Sequence, residues 1–389
     1  MKEDERGVRT LMRQRMKLLI LTASYGEGHL QVSRALQQKF QENGVWDIRL
    51  VDLFEEAHPV LNSITKFLYR KSAAVSAYGL DYYGWSYYMT RDMDNDSALA
   101  RWINLLGLRK LLAVVKAERP NAVISTFPFG GIREYLRKFG VSVSTFTVIT
   151  DFTLHNRWLY SVPDKFYVAT EDLKQAMVER GIPDSQITVS GIPIREQFHD
   201  NVFAESDTPD GGARQRSVLI MAAAYGLRDV KKMIGHLSAI PNVRINVVCG
   251  RNAKLKETLE CCYRSQDHIG IFGFVERIAR LMGESSCIVT KAGGVTLSEA
   301  IQMNVPPLIY KPFPGQEKEN ARYLAGVGAA CVVHSAGELA ARVRELLFNE
   351  RFSQNMKEKI RSLKKDNAAD TIVQDVLRFI DRQSDVSAS

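Results

Sequence analysis

A glycine turn between an apolar segment and a helix start is the feature of the sequence with the clearest chemistry. Gly293 and Gly294 follow the apolar residues 287–289, and a helical pattern begins near Val295. The first turn of a helix has free backbone N–H groups and about half a positive charge, so it attracts anions. Glycine lets a phosphate approach the main chain where a Cβ atom would clash. The turn therefore predicts a phosphate-binding site.

Polar side chains follow this turn at positions that suit a sugar. Glu299 lies about one helical turn beyond Gly294, where its carboxylate could accept hydrogen bonds from a sugar diol. Gln316, Glu317 and Asn320 form a second polar cluster after the next predicted strand. The layout predicts a site for a nucleotide diphosphate-sugar, with contacts for phosphate, ribose and hexose. The alternative is an ordinary strand-to-helix turn with a solvated helix.

Three other predicted strand ends have residues that suit the same ligand. Small residues lead to Gly226 after the first strand, Arg251 and Asn252 follow the second, and Phe274 and Val275 follow the third. Arg251 could neutralise a diphosphate leaving group. A backbone amide near Val275 could bind a pyrimidine edge while Phe274 packs near the base. The repetition at successive strand ends strengthens the prediction of a nucleotide-sugar site.

His29 is the candidate for proton transfer. It follows Gly26 and Gly28 at the end of the first predicted strand. A histidine with a pKa near 6.5 could take a proton from an alcohol at neutral pH. The alternative is a histidine that caps the following helix. The dinucleotide-binding fingerprint fails here, because Gln31 stands where its third glycine would be.

A loop after the strand that ends at Thr150 supplies further polar and aromatic candidates. Asp151 could orient His29 or share a proton with it, and Trp158 could stack on a sugar or hold an acyl chain. The alternative is a capped turn with a packed tryptophan. Asp151 and His155 show no sure metal spacing and no third ligand, so we expect no protein-bound catalytic metal and no other cofactor.

An aromatic segment with basic flanks is typical of contact with a membrane surface. Residues 78–88 contain six aromatic side chains, and four basic residues flank them. Tyrosine and tryptophan favour the membrane–water interface, and cations favour anionic lipid. The alternative is an aromatic-rich core helix or a dimer face. The segment's candidate lipid-binding residues are Tyr82, Tyr83 and Trp85.

These residues lie in an alternating pattern of strands and helices. Predicted strands in the first half are 18–21, 48–51, 122–125, 145–149 and 166–168, and predicted helices include 99–118 and 171–180. The second half repeats the pattern with strands at 218–221, 245–248, 269–272, 287–289 and 307–310. Such alternation predicts an α/β protein with two doubly wound parallel sheets, whose ligands bind at the carboxyl ends of the strands.

The length and the polar segment near residue 210 predict two domains. The chain has 389 residues, which is long for one domain. The expected parts are a flexible basic extension (1–16), a first domain (17–203), a linker (204–214), a second domain (215–367) and a C-terminal helix (368–389) that could pack back on the first domain. The two domains are expected to face a cleft.

Composition narrows the range of expected binding partners and cellular compartments. The net charge of +8 favours anionic partners, and a membrane surface remains a possible partner. No nucleic-acid-binding pattern appears, so we expect no nucleic acid. The five cysteines lack CxxC spacing, which argues against zinc and disulfides. No apolar run is long enough for a transmembrane helix or secretory signal, so we expect a cytoplasmic location.

With these residues assembled, the sequence resembles glycosyltransferase family 28. Within that family it looks like the bacterial processive diacylglycerol β-glucosyltransferases and the plant monogalactosyldiacylglycerol synthases. The resemblance covers residues 17–379, and its most specific segments are 21–29 (LTASYGEGH), 148–155 (VITDFTLH), 190–195 (SGIPIR) and 314–320 (PGQEKEN). It implies a GT-B fold of two Rossmann-like domains, the first for the acceptor and the second for a UDP-sugar.

Our catalytic candidates are His29 and Asp151, either of which could be the base, and our candidates for acceptor and lipid contact on this side are Tyr25, Gly28, His155 and Trp158. The resemblance also implies residue roles. His29 would be the general base or would orient the acceptor. On the donor side, Glu299 would bind the ribose, Gly293, Gly294 and Thr296 the phosphates, Gln316 and Glu317 the hexose, and the Phe274 region the uracil.

The leading hypothesis is a peripheral enzyme on the cytoplasmic face of the cell membrane. It would transfer glucose from UDP-glucose to the 3-hydroxyl of diacylglycerol with inversion, and then to glycosyl-diacylglycerol, in the glycolipid biosynthesis that supplies lipoteichoic acid anchors. Alternatives are transfer of galactose, transfer of GlcNAc to a lipid-linked peptidoglycan precursor, a UDP-sugar epimerase that transfers nothing, and a nucleotide-sugar sensor. The sequence does not separate glucose from galactose.

Overall fold

The chain forms two compact units. The computed structural model describes residues 13, 15–23, 27–57, 107–199 and 216–388. The first unit comprises Met1–Arg195 and Asn367–Ser389, and the second comprises Glu196–Asp366. The predicted linker (204–214) and most of the predicted extension (1–16) lie outside the described residues.

The first unit is built on a parallel sheet. Its described strands lie in the order β2-β1-β3-β4-β5-β6. The apolar strands β1 and β3 are buried almost throughout, as expected for a parallel sheet covered by helices on both faces. The strand bounds are β1 Lys17–Thr22, β2 Asp47–Asp52, β3 Ala122–Ser125, β4 Ser144–Val148, β5 Lys165–Val168 and β6 Ile187–Val189.

Helices cover this sheet and share its core. Leu19 and Leu21 of β1 belong to the same buried cluster as Val123 of β3 and Leu111 and Leu136 of two helices. Full burial of each such side chain contributes about 1.5–3 kcal/mol relative to exposure. The helices are α1 Glu27–Glu42, α2 Leu53–Ala57, α3 Leu108–Glu118, α4 Ile132–Lys138, α5 Asn156–Leu159 and α6 Glu171–Val178.

The second unit repeats the plan with the strand order β12-β11-β10-β7-β8-β9. Its strands are β7 Arg216–Met221, β8 Val243–Val248, β9 Ile269–Phe272, β10 Cys287–Thr290, β11 Pro307–Tyr310 and β12 Cys331–Val333. Its helices are α7 Leu227–Leu237, α8 Ala253–Tyr263, α9 Ile278–Gly283, α10 Gly294–Gln302, α11 Gln316–Gly326, α12 Ala336–Phe348 and α13 Glu350–Leu363.

The strand order reverses beside the first strand of each sheet. In the first unit the chain returns from β2 to place β3 on the other side of β1, and in the second unit β10 lies on the other side of β7. At such a switch point the loops at the carboxyl ends of the two central strands diverge and leave a crevice for a ligand. The residues after β1 and β3, and those after β7 and β10, are therefore placed to bind ligands.

The predicted fold class is confirmed, since both units are doubly wound α/β structures with parallel sheets. The ten predicted strands are present. The strands β6 and β12 were not predicted, because each has three residues and a weak periodic signal. The predicted helix 171–180 ends at Val178, and the predicted helix 99–118 is described from Leu108 onwards.

The chain leaves the first unit before the predicted domain end at residue 203. Gln197 belongs to the second unit, where its side chain donates to Glu276 O at 3.1 Å and accepts from Ala279 N at 3.2 Å. None of the helices in the described part of the chain is long and apolar enough to cross a membrane.

The last helix, α14 (Ala368–Ala388), belongs to the first unit and packs on α1. It buries a stripe of apolar side chains at helical spacing: Ile372, Val373, Val376, Leu377 and Ile380. Asp375 adds polar contacts with β5, because its carboxylate lies 2.6 Å from Lys165 Nζ and accepts from Tyr167 Oη at 3.1 Å. These contacts hold the C-terminal helix on the sheet.

We expect Asp375→Ala to lower the free energy of unfolding of the first unit by about 1–3 kcal/mol, because it leaves the buried Tyr167 hydroxyl and Lys165 without this partner. Urea unfolding followed by tryptophan fluorescence reports on this unit, which contains all four tryptophans. Arg378→Ala is the control, since Arg378 is exposed and lies 3.9 Å from Asp375. Equal stability of both variants would contradict the assigned role.

Candidate active site

His29 lies at the switch point of the first sheet, in the first turn of α1. Its Nδ1 is 2.7 Å from the carbonyl oxygen of Thr126, which follows β3, and 3.2 Å from Thr150 Oγ1, which follows β4. A carbonyl oxygen only accepts hydrogen bonds, so we assign the proton to Nδ1. Nε2 of the neutral ring then has a lone pair that could accept a proton from a substrate.

The ring of His29 is held from several directions. Ser33 Oγ donates to the His29 carbonyl oxygen at 2.9 Å and lies 2.9 Å from Thr126 Oγ1. The Phe127 ring meets the imidazole edge-on, with the centroids 5.2 Å apart. Among the described residues, the His29 ring is not seen to cap the helix. Its Nδ1 contacts the loops after β3 and β4 instead.

Burial favours the neutral form of the His29 imidazole. Burial lowers the pKa of His29, while the negative charge of Asp151 and the hydrogen bond with Thr126 act in the opposite direction. The net pKa lies below the ordinary value of about 6.5. Asp151 follows β4 and is 5% exposed. The sequence-predicted pair His29 and Asp151 is thus close enough to interact.

The remaining acceptor-side candidates are less accessible or lie outside the described residues. His155 caps α5, with Nδ1 accepting from Arg157 N at 3.1 Å, and the Trp158 side chain is 2% exposed. This geometry matches the alternative of a capped turn with a packed tryptophan and does not support lipid contact by either side chain. Gly28 lies half-buried in the first turn of α1. Outside the described residues are Tyr25, Tyr82, Tyr83 and Trp85.

In the second unit, the glycine turn lies at the switch point after β10. Gly293 is the N-cap of α10 and is exposed, and a Cβ atom added there would meet open space. The helix begins at Gly294, so its free N–H groups are at this turn. The amide of the fully buried Asn320 donates to Ala292 O at 3.2 Å. This hydrogen bond therefore joins α11 to the residues just before the glycine turn.

The predicted sugar-binding residues lie around the same edge of the sheet. Glu299 is in the second turn of α10 and is 3% exposed, while Thr296 is half-buried in the first turn. Gln316 begins α11, after Gly315, whose φ of 94° requires glycine. Glu317 accepts from Phe313 N at 3.1 Å, and burial raises the pKa of its carboxyl while Lys291 lowers it.

The other predicted donor residues lie after β7, β8 and β9. Gly226 is the exposed N-cap of α7. The side chain of Asn252 caps α8 by accepting from Leu255 N at 3.1 Å. Phe274 is 63% exposed, Arg251 Cζ lies 5.3 Å from its ring centroid, and Val275 is half-buried. Phe274 thus offers an open aromatic face, whereas the Asn252 side-chain oxygen is already used in a cap.

Sequence reasoning missed several residues of these two crevices. Thr126 and Thr150 contact His29, and the available signal was that Thr126 directly follows β3 and Thr150 lies two residues after β4. Lys291, Tyr225 and Phe313 meet at the second switch point, where the Lys291 ammonium lies over both rings. The signal for Lys291 was a lysine between a buried strand and a glycine turn. Within the described residues, no group of three His, Cys, Asp or Glu side chains could hold a metal ion.

Two family models match the chain in succession. The model described as monogalactosyldiacylglycerol (MGDG) synthase matches residues 29–194. The model described as glycosyltransferase family 28 C-terminal domain matches residues 211–372. The first match begins at His29, and the second includes all the strands and glycine turns of the second unit.

Relatives and solved structures agree with these matches. The processive diacylglycerol beta-glucosyltransferase of Bacillus cytotoxicus is 38% identical over 367 residues, with 93% of each chain covered. The protein of the same name from Bacillus mycoides is 39% identical, again with 93% of each chain covered.

Among solved structures, MurG of Acinetobacter baumannii has a TM-score of 0.61 at 18% identity, covering 93% of this chain and 99% of its own. S. aureus MnaA, solved with UDP, has a TM-score of 0.62 at 13% identity, covering 94% and 97%. At these identities the two structures support the fold alone. On the identity and coverage of the Bacillus relatives, the chain belongs to the diacylglycerol glycosyltransferases of glycosyltransferase family 28.

Proposed function

We propose that this protein transfers glucose from UDP-glucose to the 3-hydroxyl of 1,2-diacylglycerol and forms β-glucosyl-diacylglycerol. It then adds further glucoses to its own product. The observation that carries the proposal is the 38% identity over 93% of the chain to proteins named processive diacylglycerol beta-glucosyltransferase. The crevice around His29 supports it, because transfer to an alcohol needs a base at the acceptor.

In the proposed reaction, His29 is the base. Nε2 takes the proton of the acceptor hydroxyl as the oxygen forms a bond to the anomeric carbon. The bond from this carbon to the β-phosphate oxygen breaks, its electron pair stays with UDP, and the configuration inverts. The negative charge of Asp151 stabilises the imidazolium that results. The proton leaves His29 to solvent before the next transfer.

The proposed donor site is the crevice at the carboxyl end of β7 and β10. The N-terminus of α10 would bind phosphate, Glu299 the ribose, and Gln316 and Glu317 the hexose. The exposed Phe274 ring would pack near the uracil. We propose that donor binding uses these groups and Arg251 without a protein-held metal, so transfer should persist in EDTA.

The proposed acceptor is a membrane lipid, so the enzyme must reach a bilayer surface. We propose peripheral binding at the cytoplasmic face through residues 78–88, helped by a net charge of +8 that anionic lipid attracts. No role in nucleic-acid binding is proposed.

Product analysis tests the whole proposal. The protein is given detergent-dispersed diacylglycerol with labelled UDP-glucose or UDP-galactose in parallel, with EDTA present. The expected result is label in glucosyl-diacylglycerol, followed by diglucosyl and triglucosyl species. Label only from UDP-galactose, label only on an added polyprenyl diphosphate acceptor, or epimerised UDP-sugar without labelled lipid would each replace the proposal with the corresponding alternative.

We expect His29→Ala to lower turnover by about 10²–10⁴-fold, the range for loss of an acid–base group. The matched control is His236→Ala, which removes an exposed histidine of α7 and should leave turnover unchanged. Initial rates of glucosyl-diacylglycerol formation measure both. Unchanged turnover in the His29 variant would remove this residue from the mechanism.

We expect Asp151→Asn to move the acidic limb of the kcat/KM profile to lower pH and to lower the plateau rate. The Asp151 charge raises the pKa of His29, so its loss lowers that pKa further, and protonation then inactivates the base only at lower pH. Asp172→Asn, an exposed change on α6, is the control. An acidic limb that stays in place would exclude an electrostatic role for Asp151.

We expect Glu299→Gln to weaken the binding of both UDP and uridine about 10-fold, because a neutral amide is a poorer partner for the ribose hydroxyls than a carboxylate. Isothermal titration calorimetry measures both affinities. Glu284→Gln, an exposed change at the end of α9, controls for the loss of charge. Unaltered affinity for uridine would contradict the ribose role.

A further inference from the structure

Lys291 is a cation at the second switch point that the functions assigned above do not use. It follows β10 directly and precedes the glycine turn by one residue. Its Nζ lies 2.8 Å from the centroid of the Phe313 ring and 5.6 Å from that of Tyr225. Phe313 follows β11, and Tyr225 follows β7. The residues after three neighbouring strands therefore meet around one ammonium group.

The ammonium group has unused hydrogen-bonding capacity. Across the described ranges, its contacts are the two aromatic faces, and no hydrogen bond or ion pair engages its three N–H groups. An aromatic face alone replaces only part of the hydration energy that a partly buried cation loses. Charge-assisted bonds to an anion are stronger. The position therefore favours an incoming anionic ligand.

The carboxylates that face Lys291 are already engaged by other donors. Asp229 of α7 accepts from Lys311 Nζ at 2.8 Å and from Tyr310 Oη at 3.4 Å. Glu317 of α11 accepts from Phe313 N at 3.1 Å. Burial lowers the pKa of Lys291 to about 8, and Glu317 and Asp229 only partly offset this effect. The local protein groups thus stabilise the charged form less well than water does.

We infer that Lys291 binds the diphosphate of the donor and stabilises the charge that develops on it when the sugar leaves; this role rests on the proposed function. Gly293, two residues after Lys291, is exposed and a Cβ atom added there would meet open space, and the positive end of α10 begins at Gly294. The aromatic rings hold the ammonium in place until the diphosphate replaces them as its partner.

The reaction itself makes this cation more useful in the transition state than in the ground state. When the bond between the anomeric carbon and the β-phosphate oxygen breaks, its electron pair passes to that oxygen. The product UDP therefore has one more negative charge than the diphosphate of the donor. An ammonium beside it binds UDP more tightly than UDP-glucose, and its loss should lower kcat more than it raises KM.

The test compares Lys291→Met with the wild-type enzyme. Methionine keeps the length of the side chain and packs well on aromatic rings, so the crevice should keep its shape. Calorimetry should show a loss of UDP affinity on the order of 10- to 100-fold, with uridine affinity unchanged. Lys318→Met is the control, because it removes an exposed charge from α11 and should behave as wild type.

Two outcomes would overturn the assignment. If the Lys291→Met variant binds UDP as tightly as the wild-type protein does, Lys291 does not contact the diphosphate. An equal loss of UDP and uridine binding would show that the variant has changed the shape of the crevice. If wild-type protein transfers glucose while the variant is unaffected, this inference alone fails. If wild-type protein binds no UDP, the proposed function fails and this inference with it.

A pH series adds a readout that a structural role would not change. Wild-type UDP affinity should be level between about pH 7 and pH 8, where the terminal phosphate is fully ionised, and fall above pH 8 as Lys291 loses its proton. Lys291→Arg should keep the affinity near the wild-type plateau and remove this fall, since arginine stays protonated. Both proteins share Glu317, Asp229, Tyr225, Tyr310 and Lys311 around the site, so the difference reports on residue 291. Parallel profiles would contradict the assignment.

Discussion

The reversal of strand order beside the central strand of each sheet is the constraint on which the two candidate sites depend. Because β3 returns to the far side of β1, the loops that follow them diverge, and His29 meets Thr126 in the space between. The same reversal at β7 and β10 brings Tyr225 close to Lys291. The residues at these positions are far apart in sequence, and the parallel sheet alone makes them neighbours.

Burial lowers the pKa of one basic side chain at each switch point, and in each case this suits the proposed step. Burial disfavours the charged forms of histidine and lysine alike. For His29 this leaves a neutral ring whose Nε2 could take a proton. For Lys291 it leaves an ammonium that an anion would stabilise. The same physical effect therefore favours proton removal in one unit and anion binding in the other.

The fold and the positions of the candidate residues could be predicted because they depend on local patterns. Apolar runs gave the strands, and glycines marked the turns where Gly293 and His29 lie. The contacts could not be predicted, because they depend on side chains from different strand ends. The sequence left two interpretations of Trp158 open, and only the structure shows that its ring is packed. Asn252 precedes a helix and is a residue type that favours the N-cap, but the sequence does not show whether its side chain is used there or by a ligand. Lys291 was overlooked for the same reason, since its aromatic partners follow other strands.

The fold does not specify the reaction. The solved structures with TM-scores near 0.6 include MurG, an S. aureus protein solved with UDP, and UDP-N-acetylglucosamine 2-epimerases, at 18% identity or less. The same fold therefore occurs in proteins named for epimerisation and in a protein named as a UDP-glucosyltransferase. A transferase must take a proton from an acceptor in one place and hold a leaving diphosphate in another. In the proposed reaction, the contact with Thr126 leaves Nε2 of His29 to take the proton, and the Lys291 ammonium, which lies against two aromatic rings, would bind the diphosphate. On this proposal, the residues that follow the strands, and not the strands themselves, suit this member of the fold to transfer.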